Sequence, residues 1–116
     1  MASNSQIPFL PLGQTVLVAS NPTAPAGVQA PIDPRFNAKN PAQYRVINDS
    51  DDTVFLGVGQ TAAEAQANAA DIAGGVTNAI VLVPGAIEIL RFHEASYFSA
   101  YSANPADVYV LPGQGI

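Results

Sequence analysis

Residues 43–59 read QYRVINDSDDTVFLGVG, and this stretch decides the fold class. It holds two short runs, 43–48 (QYRVIN) and 53–59 (TVFLGVG), rich in Val, Ile, Phe and Tyr and separated by Asn, Asp and Ser. Runs of this length and composition, bounded by turn residues, are the signature of β-strands. Working outward, the same signature recurs at 79–83 (AIVLV), 86–92 (AIEILRF), 96–101 (SYFSAY), 106–111 (ADVYVL) and, upstream, 14–20 (QTVLVAS). Short strands at this spacing predict an all-β chain: an antiparallel β-sandwich of two layers, of which a jelly roll is one form, or a small barrel. Val54, Leu56 and Val58 alternate, as do Val108 and Val110, so both strands are expected to send those side chains inward.

Turn chemistry sets the expected pairings. The loop Asn48-Asp49-Ser50-Asp51-Asp52 has hairpin length and predicts pairing of 44–47 with 54–58. Pro84-Gly85 favours a type II turn, expected to reverse the chain between 79–83 and 87–92. Residues 61–73 (TAAEAQANAADIA) depart from the strand pattern. They are rich in the best helix former, and Thr61 with Glu64 has the spacing of a capping box. One Ala-rich helix of about three turns is expected there, stopped by Gly74-Gly75.

The chain divides unevenly. Residues 1–42 carry seven of the ten prolines, and proline fixes φ and removes a ladder donor. An extended N-terminal arm and loop is therefore expected, with 14–20 as its one strand and no pairing before Gln14. Residues 21–40 form a stretch with little periodicity, longer than a compact domain ordinarily leaves as bare loop. Residues 43–116 supply the β core, and the whole is read as a single domain.

Composition excludes several functions. Charged residues are 11% of the chain against about 25% in ordinary domains, so charge holds copies of this chain apart only weakly. Net charge is −5, with Arg35, Lys39, Arg45 and Arg91 the only Lys or Arg residues. A surface that tracks phosphates needs a cation for each phosphate neutralised, so no nucleic-acid partner is expected. Cysteine is absent, which removes disulfides and thiolate metal sites. No apolar run approaches the length of a membrane span, and the N-terminus lacks the basic start and apolar core of a signal peptide. A soluble protein made in the cytoplasm, without a membrane partner, is the expectation.

Catalytic chemistry finds few residues. His93 is the only histidine and has Glu94 beside it, too few groups for a metal or acid–base site. Asp49, Asp51 and Asp52 cluster but lack the twelve-residue loop, turn glycine and closing glutamate of a calcium site. Gly57 and Gly59 lack the third glycine and the βαβ context of a dinucleotide site, and read better as a bulge or close packing. No elbow motif or neighbouring base surrounds Ser96, Ser99 or Ser102. Phe92, Tyr97, Phe98, Tyr101 and Tyr109 could stack on a sugar or base, but in an all-β chain without Trp they are expected in the core. No enzyme activity, cofactor or metal is expected.

The order RVINDSDDTVFLGVGQTAAEAQANA (45–69), then VPGAIEILRF (83–92) and a final ADVYVLPGQG (106–115), resembles small structural proteins of tailed bacteriophage heads. The likeness covers residues 43–116 and carries no catalytic motif. It implies a virion β-sandwich, a capsid decoration or cement subunit on the capsid exterior. Its partners would be the major capsid protein and further copies of itself, as a dimer or trimer. Alternative roles are a head-to-tail or tail ring component and, from another class, a carbohydrate- or receptor-binding module. The arm fits a bridging role, since Ile7, Phe9, Leu10 and Leu12 are apolar anchors held among prolines that lower the cost of ordering. These four are the candidate partner-binding residues.

Overall fold

Alternation in the chain translates directly into strands. The computed structural model describes residues 10–11, 13–29, 42–71, 78–92 and 96–114. Among them are β1 (Leu10–Pro11), β2 (Val16–Asn21), β3 (Val28–Gln29), β4 (Ala42–Asn48) and β5 (Val54–Gly59). Helix α1 (Ala62–Asn68) follows, then β6 (Ile80–Leu82), β7 (Ile87–Phe92), β8 (Tyr97–Tyr101) and β9 (Ala106–Gln114). Among the described residues the chain is all-β with one short helix, and every run expected as a strand contains one.

The strands join one curled, mixed sheet, in the order β6-β5-β8-β2-β9-β4-β7, with β1 added to β9 and β3 to β8. A continuous sheet thus stands where two separate layers were expected, and its curl lets one face of each half enclose the same core. Val54 and Leu56 of β5, Leu82 of β6 and Phe98 and Ala100 of β8 come from one half; Val18, Tyr44, Val46, Val108 and Val110 come from the other. Val58 packs against this cluster. The rings of Tyr44 and Phe98 meet across the halves edge to face, 4.9 Å apart, the arrangement in which the positive ring edge meets the negative face.

Two expected hairpins are corrected. β4 pairs with β7 and β9, whereas β5 pairs with β6 and β8. The 49–53 loop is therefore an arch that carries the chain from one half of the sheet to the other. Pro84-Gly85 does form the expected turn, with Gly85 at φ 77 and the Ala86 N–H donating to the Val83 carbonyl at 3.0 Å, as a type II turn requires. It too joins opposite ends of the sheet, β6 and β7. Turn residues fix where a chain reverses; the partner is chosen by burial. As arches, both loops let the apolar sides of β4 and β5, and of β6 and β7, approach one core from opposite sides.

Asn48, fully buried, ties the arches together. Its side-chain amide donates to the carbonyls of Asp52 (2.8 Å), Leu82 (3.0 Å) and Val83 (3.1 Å). Its Oδ1 accepts from the Ser50 hydroxyl at 2.6 Å. Its backbone N–H donates to the Ala86 carbonyl, and its own carbonyl accepts from the Gly85 N–H. The two ends of the sheet order are thereby bridged without pairing β6 to β7.

Three further expectations change. β1 pairs antiparallel with the end of β9, Leu10 opposite Gln114 and Pro11 opposite Gly113, so pairing does begin before Gln14. The reason is that β9 continues to Gln114 and offers backbone groups beyond the end of β2, where a proline is tolerated because the strand is at an edge. Helix α1 has seven residues, about two turns, and ends when Ala69 leaves helical geometry at ψ 83; the Asn68 amide donates to the Val58 carbonyl at 2.9 Å. Gly74-Gly75, the expected stop, lies outside the described residues. Finally, residues 22–29 are ordered by the chain itself: Gly27 N–H donates to the Ala62 carbonyl, the Gln66 side chain to the Ala24 carbonyl, and β3 pairs with β8.

The Thr61 cap forms as expected, its hydroxyl accepting from Glu64 N–H at 3.0 Å, while the Glu64 carboxylate reaches one residue further back than a capping box requires and accepts from Gln60 N–H at 3.0 Å. Alanine gives this helix little area to bury, and β5 compensates by placing Gly57 and Gly59 beneath it. A Cβ built on Gly57 would lie 2.3 Å from the Ala65 carbonyl oxygen, and one on Gly59 2.7 Å from the Ala65 nitrogen. The glycines permit backbone-to-backbone packing of α1 on the outer face of β5.

Candidate functional site

The residues considered for chemistry are scattered or occupied. Ser99 and Ser102 are fully buried. The Ser99 hydroxyl donates to the Pro25 carbonyl, and that of Ser102 accepts from Ser20 at 2.7 Å and donates to the Asn104 carbonyl. Ser96 is buried as well. Asp49 and Asp51 are exposed at the first arch, while Asp52 accepts from the Asn104 side chain at 3.2 Å. Among the described residues no group of His, Asp and Glu side chains is placed to hold a metal ion. His93 and Glu94 lie outside the described residues. The arch residues Asn48, Asp49, Ser50 and Asp51 form a surface hollow with Pro84 and Gly85, an open polar recess rather than an apolar pocket with converging groups.

The aromatic set is split by strand parity. Phe98 is fully buried and Phe92 packs against the core, as expected. Tyr97, Tyr101 and Tyr109 are half-buried and stand on the outer face of their strands, a correction that follows from alternation: each is one residue out of step with a buried neighbour. The Tyr101 ring lies 6.2 Å from that of Phe55, on the same outer face.

What the sheet does present is apolar outer surface. Leu17, Ile87 and Ile89 are 50%, 57% and 55% exposed. Register places them together on the β2-β9-β4-β7 half. Leu17 lies opposite Tyr109, Tyr109 opposite Ile47, and Ile47 opposite Ile87, making one unbroken row across four strands. The adjoining row holds Leu111, Arg45 and Ile89. On the other half, Val81 lies opposite Phe55 and Phe55 opposite Tyr101, with Val83 exposed nearby.

This surface was legible as a break in alternation. A half-buried strand alternates apolar with polar, yet β7 is apolar at Ile87 and Ile89 and again at Leu90 and Phe92. β9 is apolar at Val108 and Val110 and again at Tyr109 and Leu111. Strands apolar on both parities are those covered on both faces. The expected partner-binding residues receive less definition: Leu10 lies in β1 beside Gln114, and Ile7, Phe9 and Leu12 lie outside the described residues. Comparison of the chain with protein-family models, with curated proteins and with solved structures found no match.

Proposed function

We propose that the chain is a virion structural protein, a capsid decoration or cement subunit that bridges neighbouring major capsid proteins on the outside of the shell. It is made in the host cytoplasm and acts through surfaces, without catalysis. The observation that carries this reading is the apolar row in which exposed Leu17 and Ile87 flank half-buried Tyr109 and Ile47, on a protein whose described residues include no cluster suited to metal chemistry. Broad apolar area with little charge suits permanent contacts between proteins more than recognition of a small ligand. The resemblance of residues 43–116 to phage head proteins supports the same role. The Ile7, Phe9, Leu10 and Leu12 arm would dock on the shell, and repetition over a lattice would turn modest single contacts into high avidity.

The test is copurification with assembled capsid shells and the copy number relative to the shell protein. A decoration subunit is expected in numbers comparable to the shell protein or to its capsomers. A few copies per particle would instead identify the head-to-tail or tail ring component, and absence from particles together with binding on a glycan array would identify the carbohydrate-binding module, which half-buried Tyr97 and Tyr101 on the outer face of β8 favour.

A further inference from the structure

The outer face of the β2-β9-β4-β7 half has a layout along its strands that fits a second copy of itself. At one end stand Asp49 and Asp107, both exposed and joined by the hydrogen bond from Asp49 N–H to the Asp107 carbonyl at 3.2 Å. The apolar row of Leu17, Tyr109, Ile47 and Ile87 comes next, followed by the row that holds Arg45 and then the one that holds Arg91. Both described cationic side chains of the chain, Arg45 and Arg91, are exposed on this one face. The face therefore runs from acidic through apolar to basic.

We infer that this face is an isologous dimer interface, in which two copies stack face to face with their strands running in opposite directions about a two-fold axis lying along the Leu17–Tyr109–Ile47–Ile87 row. Such an axis lays the apolar row on its own copy and places Arg45 of each protomer over Asp49 of the other, because Arg45 in β4 and Asp49 just past its end stand two residues to either side of Ile47. A two-fold axis parallel to the strands through the middle of the face would instead exchange β9 with β4 and set Asp49 against Asp107, so the charges select one orientation of the two. Self-complementarity of this kind is what a two-fold interface demands, and a foreign partner would have no need of it.

Size fits a reversible dimer. Four strands about 4.8 Å apart and four rows about 6.8 Å apart give a face of roughly 400 Å² in projection. Only its middle rows are apolar, an area within the range of patches on monomers, and the roughly 800 Å² that two copies would bury is below a standard interface and of the size of a weak, reversible one. The inference stands on this face alone: a chain that stayed monomeric would overturn it and leave the capsid reading intact, whereas absence from particles would sink the capsid reading and leave the dimer untouched.

The experiment is sedimentation velocity on the whole chain from about 1 to 500 μM, the range in which interfaces of this size dissociate. The parent is expected to pass from monomer to dimer. Arg45→Glu and Asp49→Arg should each raise the dissociation constant at least about tenfold, since like charges then oppose each other twice per dimer. The double variant, with both charges exchanged, should recover the parental dimer. Ile89→Lys, at an exposed position of the same face, should give a monomer with the parental melting temperature. A parent that is monomeric throughout, single variants that dimerise as the parent does, or a double variant that fails to recover would each overturn the assignment.

Discussion

Replacing Gly57 by alanine tests the packing that holds α1 on the sheet. A methyl group at this position would meet the Ala65 carbonyl oxygen at 2.3 Å, the Ala69 nitrogen at 2.4 Å and the Ala69 Cα at 2.8 Å. All three are backbone atoms of the helix or its cap, so no rotamer change relieves them. Ordinary contact begins at 3.4 Å, so the helix must move by roughly 1 Å or more, and the Ala65 and Ala69 contacts, buried to 0% and 4% exposure, open with it. Overpacking of this kind costs about 1–3 kcal/mol, and at about 4 °C per kcal/mol for a domain of this size the melting temperature should fall by about 4–12 °C. Gly85→Ala is the matched control. Nothing lies within 4 Å of its Cβ, but φ is +77, so its cost of about 1 kcal/mol is conformational and local to the turn. Thermal melts by circular dichroism and amide exchange of α1 would be read on both variants. Gly57→Ala should speed exchange in residues 65–69, and Gly85→Ala should not. A Gly57→Ala protein that melts with the parent and keeps parental exchange in α1 would refute the close-approach reasoning.

Three other outcomes follow from the same structure. Leu56→Ala, at a fully buried site on the core face of β5, should cost about 2–5 kcal/mol in denaturant titration, while Asp51→Ala at the exposed arch should leave the midpoint unchanged. Asn48→Ala strips donors from three carbonyls at the closure of the sheet and should destabilise by at least about 1–3 kcal/mol; a midpoint equal to the parent's would show that the arches hold without it. Removing residues 1–12 deletes only the two-residue β1 pairing from the described fold, so the melt should change slightly, while binding to shells drops sharply through loss of Ile7, Phe9, Leu10 and Leu12; undiminished binding would take the arm out of the attachment.

Local structure was readable because it depends on neighbours in the chain. Alternation at Val54, Leu56 and Val58 marked β5, Thr61 and Glu64 marked the start of α1, and Pro84-Gly85 marked a type II turn. Each of these formed, since period, capping and φ preference act over a few residues. Pairing was not readable in the same way. The Asn48–Asp52 loop has the composition of a hairpin and serves as an arch, because the choice depends on where β4 and β5 find a common core, and no residue of the loop encodes that. The role of Asn48 was equally hidden: its acceptors at Leu82 and Val83 are more than thirty residues away, and only the fold brings them to it. Gly57 and Gly59 were readable as close packing, though not as the seat of the helix that follows them.

The exposed face differs from both cases, because its signal was present in β7 and β9 and its meaning emerged only when register was known. Apolar residues at both parities of β7 and β9 require a covering on each side, but sequence alone leaves the second covering free to be another layer of the same chain. The sheet order answers this: α1 covers β5 through Gly57 and Gly59, and the Ile47 row is left exposed or half-buried. Edge pairing is the other route by which such a chain could associate. β6 has three residues, too few for a long template, and β7 carries Glu88 and Arg91, both exposed, charges of the kind that discourage pairing at an open edge. With the edges guarded and the face left apolar between opposite charges, association is directed onto the face. A surface that discourages strand addition and leaves one apolar face for stacking would limit growth to closed pairs.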